Sequence, residues 1–342
     1  MSRWKEKREK WLDYHSRKAQ KNKKGKKKKS HYSKKSHIVQ SSTFGEDNRI
    51  TLAPPENFSL LDNPEETMRF FKEFAKEIEK PRKDVLFYVD SSKVNHVTAD
   101  ALIFLIAILE NDVTNRNKNY MFAGNYPCNK EANIVYQESG FNDYVRSKKK
   151  ELPKETNRMR IVGGIKNDPD IARGICDFVI SKLGKKRQEI MPLQTILIEL
   201  MSNVYHHAYD KNSFMRKKWY LYAEYVDSHI QCIFVDTGFG IAKTVRKNFM
   251  EWIGNTLGVY TKDAALIESA FNGDFRTATK ETYRGNGLNS VKNKVIEGPF
   301  LGFDVLSGKG HVSISKQSDS YKIQGTNYDT ALYGTLYAFT IE

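Results

Sequence analysis

Three cysteines, Cys128, Cys176 and Cys232, are all this chain has, and they lie far apart. They form no metal-binding spacing and no even set, which excludes a disulfide-stapled scaffold and a zinc knuckle. Reduced thiols packed as small hydrophobes, in a cytoplasmic protein, are expected instead. Long hydrophobic runs are missing too. The longest apolar stretch, Ala101 to Leu109, falls far short of the ~20 residues that a membrane-spanning helix needs. The N-terminus is charged and no apolar core follows it, so no secretory signal is expected. No internal repeat is visible. What remains, 342 residues at 39% hydrophobic content, suits two soluble globular domains, each able to bury a core.

Acidic residues are scarce in one place. Residues 1–37 hold 16 Lys and Arg against Glu6, Glu9 and Asp13, so +13 of the net +15 lies there. Apart from Trp4, Trp11 and Tyr14, which hint at a short helix, this tail reads as disordered. Such a tail attracts polyanions by releasing their counterions. Nucleic-acid association and a merely solubilising arm are both consistent with it.

Residues 38–150 read as one α/β domain. Ile38-Val39, Arg49 to Leu52 and Pro54-Pro55 form an extended lead-in. Pro64 opens a helical pattern with Phe70, Phe71, Phe74 and Ile78 on one face, ending before Pro81. Val85 to Val89 reads as a buried strand, Asp100 to Leu109 as an apolar helix, Tyr120 to Ala123 as a strand and Ala132 to Ser139 as a helix. That alternation predicts a parallel sheet. Ser147 to Pro153 is a polar linker. Residues 151–342 then read as strand Arg158 to Val162, helix Pro169 to Leu183, helix Leu193 to Tyr209, and a hairpin of Trp219 to Val226 with Ser228 to Val235 across Asp227. A helix at Asp263 to Phe271, a helix from Leu288 to Val295, and strands at Gly302 to Leu306, His311 to Ser315 and Thr335 to Ile341 follow.

The stretch that carries chemistry is Glu199-Leu-Met-Ser-Asn203-Val-Tyr-His-His207. Glu199, Asn203 and His207 are spaced i, i+4, i+8 and share one stripe of their helix. A carboxylate, a carboxamide and an imidazole can take a proton, ligate a hard cation and meet a phosphate. The same spacing also marks ordinary solvated faces. Downstream, Asp236-Thr-Gly238-Phe-Gly240 ends an apolar strand in a tight turn, where glycines permit close backbone approach. Arg284-Gly285-Asn286-Gly287-Leu288 opens a helix, and a Gly-rich turn before a helix offers free N–H groups to phosphate. Gly334-Thr335 precedes the last strand.

In this order the four motifs resemble those of the GHKL ATPases (gyrase, Hsp90, histidine kinase, MutL), whose nucleotide site is the Bergerat fold. Within that superfamily the anti-sigma-factor serine kinases are the nearest in character. The resemblance implies an α/β sandwich with a mixed sheet and an ATP lid at about 241–284, where Gly273, Thr277, Thr279 and Thr282 suit mobility. It implies Glu199 as general base, Asn203 as ligand of Mg2+, and Asp236 as acceptor of the adenine amino group. Gly238 and Gly240 would admit base and ribose, Gly285, Gly287 and Leu288 would wrap the phosphates, and Thr335 would support adenine beside Asp236. His207 could reach phosphate or pack beneath the sheet, and Lys243 and Arg284 could pair with phosphates or sit in solvent. His206, Asp210 and Asp227 read as structural or turn residues.

The order of elements over residues 45–150 is similar to the STAS domain of anti-sigma-factor antagonists. That family carries Asp-Ser-Ser-Gly before the helix; here Thr98-Ala99-Asp100-Ala101 stands there, without the acceptor serine. Asp100 would then imitate a permanent charge or cap the helix, the cap being favoured, while Ser91 and Ser92 fall in the preceding loop. The functions implied are an Mg-ATP-driven regulatory switch or ATPase, with a serine/threonine kinase, or an adaptor that uses ATP structurally, as alternatives. A histidine kinase fits less well, because no helix pair with a phosphoacceptor histidine precedes residue 155. The partners expected are ATP, a STAS or other regulatory protein, nucleic acid through the tail, and a second copy of the chain.

Overall fold

The computed structural model describes residues 48–80, 82, 84–110, 120–145, 157–206, 218–245, 262–273, 287–318 and 320–342. The tail over 1–37, Ile38-Val39, the linker Ser147 to Pro153, and His207, Asp210, Arg284 and Gly285 lie outside the described residues, as does most of the expected lid. The fold is mixed α/β. Among the described residues no helix is long and apolar enough to cross a membrane.

The N-terminal half is a parallel layer. Strands β1 (Arg49–Leu52), β3 (Val85–Val89) and β5 (Tyr120–Gly124) pair parallel in the order β1-β3-β5, and β2 (Asn57–Phe58) pairs parallel with β4 (His96–Val97). Helix α1 (Pro64–Glu79) begins with proline and has Glu65 and Glu66 in its first turn, where acidic side chains oppose the helix dipole. Its Phe70, Phe71 and Phe74 are buried, Phe74 with its ring 6.1 Å from that of Phe87. Past Asp100 in its first turn, helix α2 (Ala99–Leu109) is apolar around its whole circumference, and it is buried from Ala99 to Ile108. A helix of that kind needs cover on every side, and two sheets supply it. Helices α3 (Lys130–Glu138) and α4 (Asn142–Val145) complete the layer.

The second sheet follows. Strands β6 (Val162–Gly164), β7 (Trp219–Val226), β8 (His229–Asp236), β9 (Phe300–Gln317) and β10 (Ser320–Ile341) run in the order β6-β7-β8-β10-β9. Among the described residues every pairing in it is antiparallel, which corrects the expected mixed sheet; the parallel pairings described lie in the N-terminal layer. The cause lies in the connections. β7 and β8, and β9 and β10, are joined directly as hairpins, while two helices, α5 (Pro169–Leu183) and α6 (Arg187–His206), separate β6 from β7. An even number of helices lets the chain re-enter the sheet in the opposite direction.

Strand side chains alternate between faces, and here both faces are buried. Trp219, Leu221, Ala223, Ile230, Cys232 and Phe234 pack against α5, α6, α7 (Asp263–Asn272) and α8 (Gly287–Glu297). Tyr220, Tyr222, Ile233 and Val235 face the other way, into one apolar cluster with α1, α2 and β3. The N-terminal layer therefore does not keep a core to itself: its core continues onto the back of the antiparallel sheet. Burying one such Ile, Val or Leu is worth about 1.5–3 kcal/mol, so the shared face is a large part of what holds the halves together.

The β9–β10 hairpin is much longer than the separate strands read from the sequence. Its register shifts between Asn327 and Leu332 and again before Thr335. At the first shift Glu65 of α1 accepts from Asp329 N–H (3.1 Å), Thr330 N–H (3.4 Å) and the Thr330 hydroxyl (2.9 Å). One carboxylate thus fixes the irregularity to the N-terminal layer. Of the expected lid at about 241–284, residues 241–245 and 262–273 are described. Helix α7 falls inside it, yet Leu266, Ile267 and Phe271 are buried, and Asp263 accepts from Lys309 N–H at 2.8 Å. Apolar side chains on that helix make it part of the core.

Candidate functional site

Helix α6 presents its buried face, Ile196, Leu197, Leu200 and Val204, to the sheet. Glu199 and Asn203 lie one turn apart on a half-buried stripe. Opposite them begins α8. A methyl group on Gly287 would stand 3.3 Å from Asn203 Nδ2, so the helix start lies directly against the carboxamide. One turn further along, the Ser290 hydroxyl donates to Glu199 Oε1 at 3.1 Å. Glu199 Oε2 is buried without a hydrogen-bond partner among the described residues. Leu288 is half-buried against the same core, and Asn289 Nδ2 donates to Phe271 O at 2.8 Å, holding α8 to α7.

A second cluster sits at the end of β8. Asp236 lies across from Thr335 of β10. Asp236 Oδ1 accepts from Gly238 N–H at 2.8 Å, closing the turn. Burial pushes the Asp236 carboxyl up to about 6, against the lowering effect of the Gly238 N–H and the Thr335 hydroxyl bonds. Positive φ recurs at two glycines here. Gly334 (φ 84°) would put a Cβ 2.0 Å from Asp236 O, and Gly240 (φ 83°) would put one 2.7 Å from Ser307 Oγ. Ser307, fully buried, accepts from Ile241 N–H at 2.8 Å and lies 3.2 Å from Thr335 Oγ1 and 3.3 Å from Gly334 O. It joins the loop after Asp236 to both strands of the long hairpin. Asp236 and Thr335 follow the alternation of Phe234 and Tyr337, which face the helices, so this cluster shares its face with Glu199 and Asn203.

The loop is also tied to the other side. Thr237 N–H donates to Lys218 O (3.0 Å), and Lys218 N–H donates to Thr237 Oγ1 (3.2 Å). The Lys218 ammonium and the Tyr220 hydroxyl both donate to Glu110, which caps the C-terminus of α2. A short covalent and hydrogen-bonded path therefore runs from the N-terminal layer to the residue next to Asp236.

Most sequence-predicted positions fall in these two clusters: Glu199, Asn203, Gly287 and Leu288 in the first, Asp236, Gly238, Gly240 and Thr335 in the second. Lys243 lies over the turn of the second cluster. Its Nζ stands 4.6 Å from the centroid of the Phe239 ring. Ser290, Ser307 and Lys218 went unread, because single serines and lysines carry no spacing signal. Among the described residues no group of three or more His, Cys, Asp or Glu could hold a metal ion. A cation here would have Asn203 as its protein oxygen.

Asp100 is neither a surface charge nor a cap, which corrects the expected capping role. Thr98 occupies the N-cap position. Asp100 is fully buried inside the first turn, where its Oδ1 accepts from Leu60 N–H (3.3 Å), Ala101 N–H and the Thr98 hydroxyl. It fastens the β2–α1 loop to α2, and burial pushes it up to about 6. Ser91 is buried with its hydroxyl 3.1 Å from that of Tyr136.

The chain matches no protein-family model and no curated protein.

Proposed function

We propose that residues from about 155 to 342 form a GHKL-type Mg-ATP site, used as a nucleotide-driven regulatory switch coupled to a STAS-like N-terminal layer. One observation carries the reading. The start of α8, more than 80 residues downstream, lies against Asn203 and Glu199 on the same sheet face as the Asp236–Thr335 pair. Four motifs separated in sequence thereby come to one side of one sheet.

The donor set suits the ligand. Asp236 offers a half-buried acceptor to an adenine amino group, with Thr335 beside it. Gly238 and Gly240 keep the approach free of side chains. Gly287 and Leu288 open a helix whose first N–H groups can take phosphate oxygens; Gly285 would extend that turn. Asn203 would hold Mg2+, which when bound neutralises phosphate charge and leaves waters in the rest of its shell. Glu199 has a buried oxygen without a hydrogen-bond partner among the described residues, the position of a base that takes a proton from an attacking hydroxyl.

Water and a seryl hydroxyl make similar demands on that base, so ATP hydrolysis and serine/threonine phosphotransfer remain two outcomes of one site. Product analysis with γ-labelled ATP separates them: free phosphate for the switch, phosphoprotein for the kinase. Neither product, with ATP bound, would leave the adaptor function, with nucleic acid held by the basic tail. The widely spaced, partly buried cysteines fit a cytoplasmic setting.

A further inference from the structure

We propose that Ser290 is a positioning residue for Glu199: its hydroxyl holds one carboxylate oxygen so that the other stays free for the nucleophile. The inference rests on the nucleotide-site reading and names what orients its base. Gly287 and Ser290 are three residues apart, hence on one face of α8, while Glu199 and Asn203 are four apart on one face of α6. The two faces meet rung by rung, Gly287 on Asn203 and Ser290 on Glu199. The missing side chain at Gly287 sets how closely the helices approach, and that approach brings Ser290 Oγ within 3.1 Å of Oε1.

Serine near a helix start often bonds to its own backbone. Ser290 instead reaches a residue 91 positions earlier in the chain. The bond is made to one oxygen only. Oε2 is buried with no partner among the described residues, an arrangement that is costly for a carboxylate with a purely structural task. A glutamate has three rotatable bonds, and anchoring one oxygen removes most of that freedom. The free oxygen is then aimed before the nucleophile arrives, which is where a general base gains its rate.

The test uses the full chain and compares S290A, S290T, E199A and the S290A/E199A double variant. ADP formation in a single turnover is followed across pH, beside nucleotide affinity by calorimetry. Loss of such an orienting partner typically costs about 10–100-fold in activity, so S290A should slow turnover by that factor with affinity unchanged. S290T, which keeps the hydroxyl, should recover most of the rate. The double variant should be no slower than E199A, because the serine acts only through the glutamate. Wild-type turnover and pH profile in S290A, with E199A inactive, would overturn the positioning role and leave the nucleotide site standing. So would a double variant slower than E199A. Wild-type turnover in E199A, or no ADP from the wild-type protein, would overturn Glu199 as the base and this inference together, while nucleotide affinity by calorimetry reads the binding site separately.

Discussion

Thr335 stands directly across the sheet from Asp236, and its hydroxyl is bonded both to that carboxylate and to the buried Ser307. A carboxyl held up to about 6 by burial in this setting has a definite pH signature. Its acid form prevails below that value, and an amino group donates well only to the anion. Adenine-nucleotide affinity should therefore rise as pH increases through about 6. Asp236→Asn should bind far more weakly and lose this component of the pH dependence, because the carboxamide mispairs with a donor. For the ligand-free protein the sign is opposite. An acid raised above its unfolded value contributes stability at low pH that is lost between the ordinary carboxylate range and about 6. Calorimetric titrations of both proteins on either side of pH 6 check the prediction; parallel curves would contradict it.

Two glycines should answer alanine in opposite directions. At Gly334 a Cβ would meet Asp236 O at 2.0 Å with φ at 84°. Gly334→Ala should cost about 1–3 kcal/mol from backbone strain alone, and should weaken nucleotide binding by displacing Asp236. Gly174, inside α5, would put its Cβ within 4 Å of nothing. Gly174→Ala should stabilise by about 0.5–1 kcal/mol through helix propensity. Denaturant unfolding of the two variants decides both.

The same physics that made the elements readable hid their assembly. Periods of 3.6 and 2 announced α1, α5, β7 and β8, and proline at Pro64 and Pro169 marked two helix starts. In the sequence the long hairpin reads as fragments because Gly308, Gly310 and Gly325 interrupt its alternation. Those glycines are where α7 approaches; a Cβ on Gly310 would meet Ala264 N at 2.5 Å. The all-round apolar sequence of α2 signalled burial but not by what. Asp100 reads as a cap in the sequence but lies two residues past the cap the structure has, Thr98, since only the loop geometry shows Leu60 N–H waiting for it.

Asp100 gives a stability prediction of its own. Asp100→Ala would leave Leu60 N–H and the Thr98 hydroxyl without their acceptor, at about 1–3 kcal/mol for each buried group. Asp100→Asn keeps an acceptor and removes the titration. The wild-type protein should lose stability as pH rises from the ordinary carboxylate range toward about 6, and Asp100→Asn should lose less over that window. Thermal melts at several pH values distinguish this from a solvent-exposed aspartate, which would show no difference.

The shared core bears on any attempt to isolate the site. A fragment of residues 155–342 would expose Tyr220, Tyr222, Ile233, Val235, Leu306 and Leu336, all buried against the N-terminal layer. A contiguous apolar face of that kind marks an aggregating surface. The fragment alone should be insoluble or bind a hydrophobic dye strongly, and co-expression with residues 48–145 should rescue it. A soluble, monomeric fragment of full stability would show that the layers fold independently.

The most direct test of the proposed site separates Glu199 from Asn203, one turn apart on α6. Glu199→Ala removes a group that acts on the nucleophile, so ATP should stay bound while turnover falls by about 10²–10⁴-fold, as for loss of a general base. Asn203→Ala removes the metal's protein oxygen, so affinity for Mg-ATP itself should fall. Single-turnover ADP formation and nucleotide affinity, measured together on both variants, give the answer. Tight binding with lost turnover for the first and weakened binding for the second is the predicted result. Wild-type turnover in Glu199→Ala, or the same profile for both variants, would contradict it.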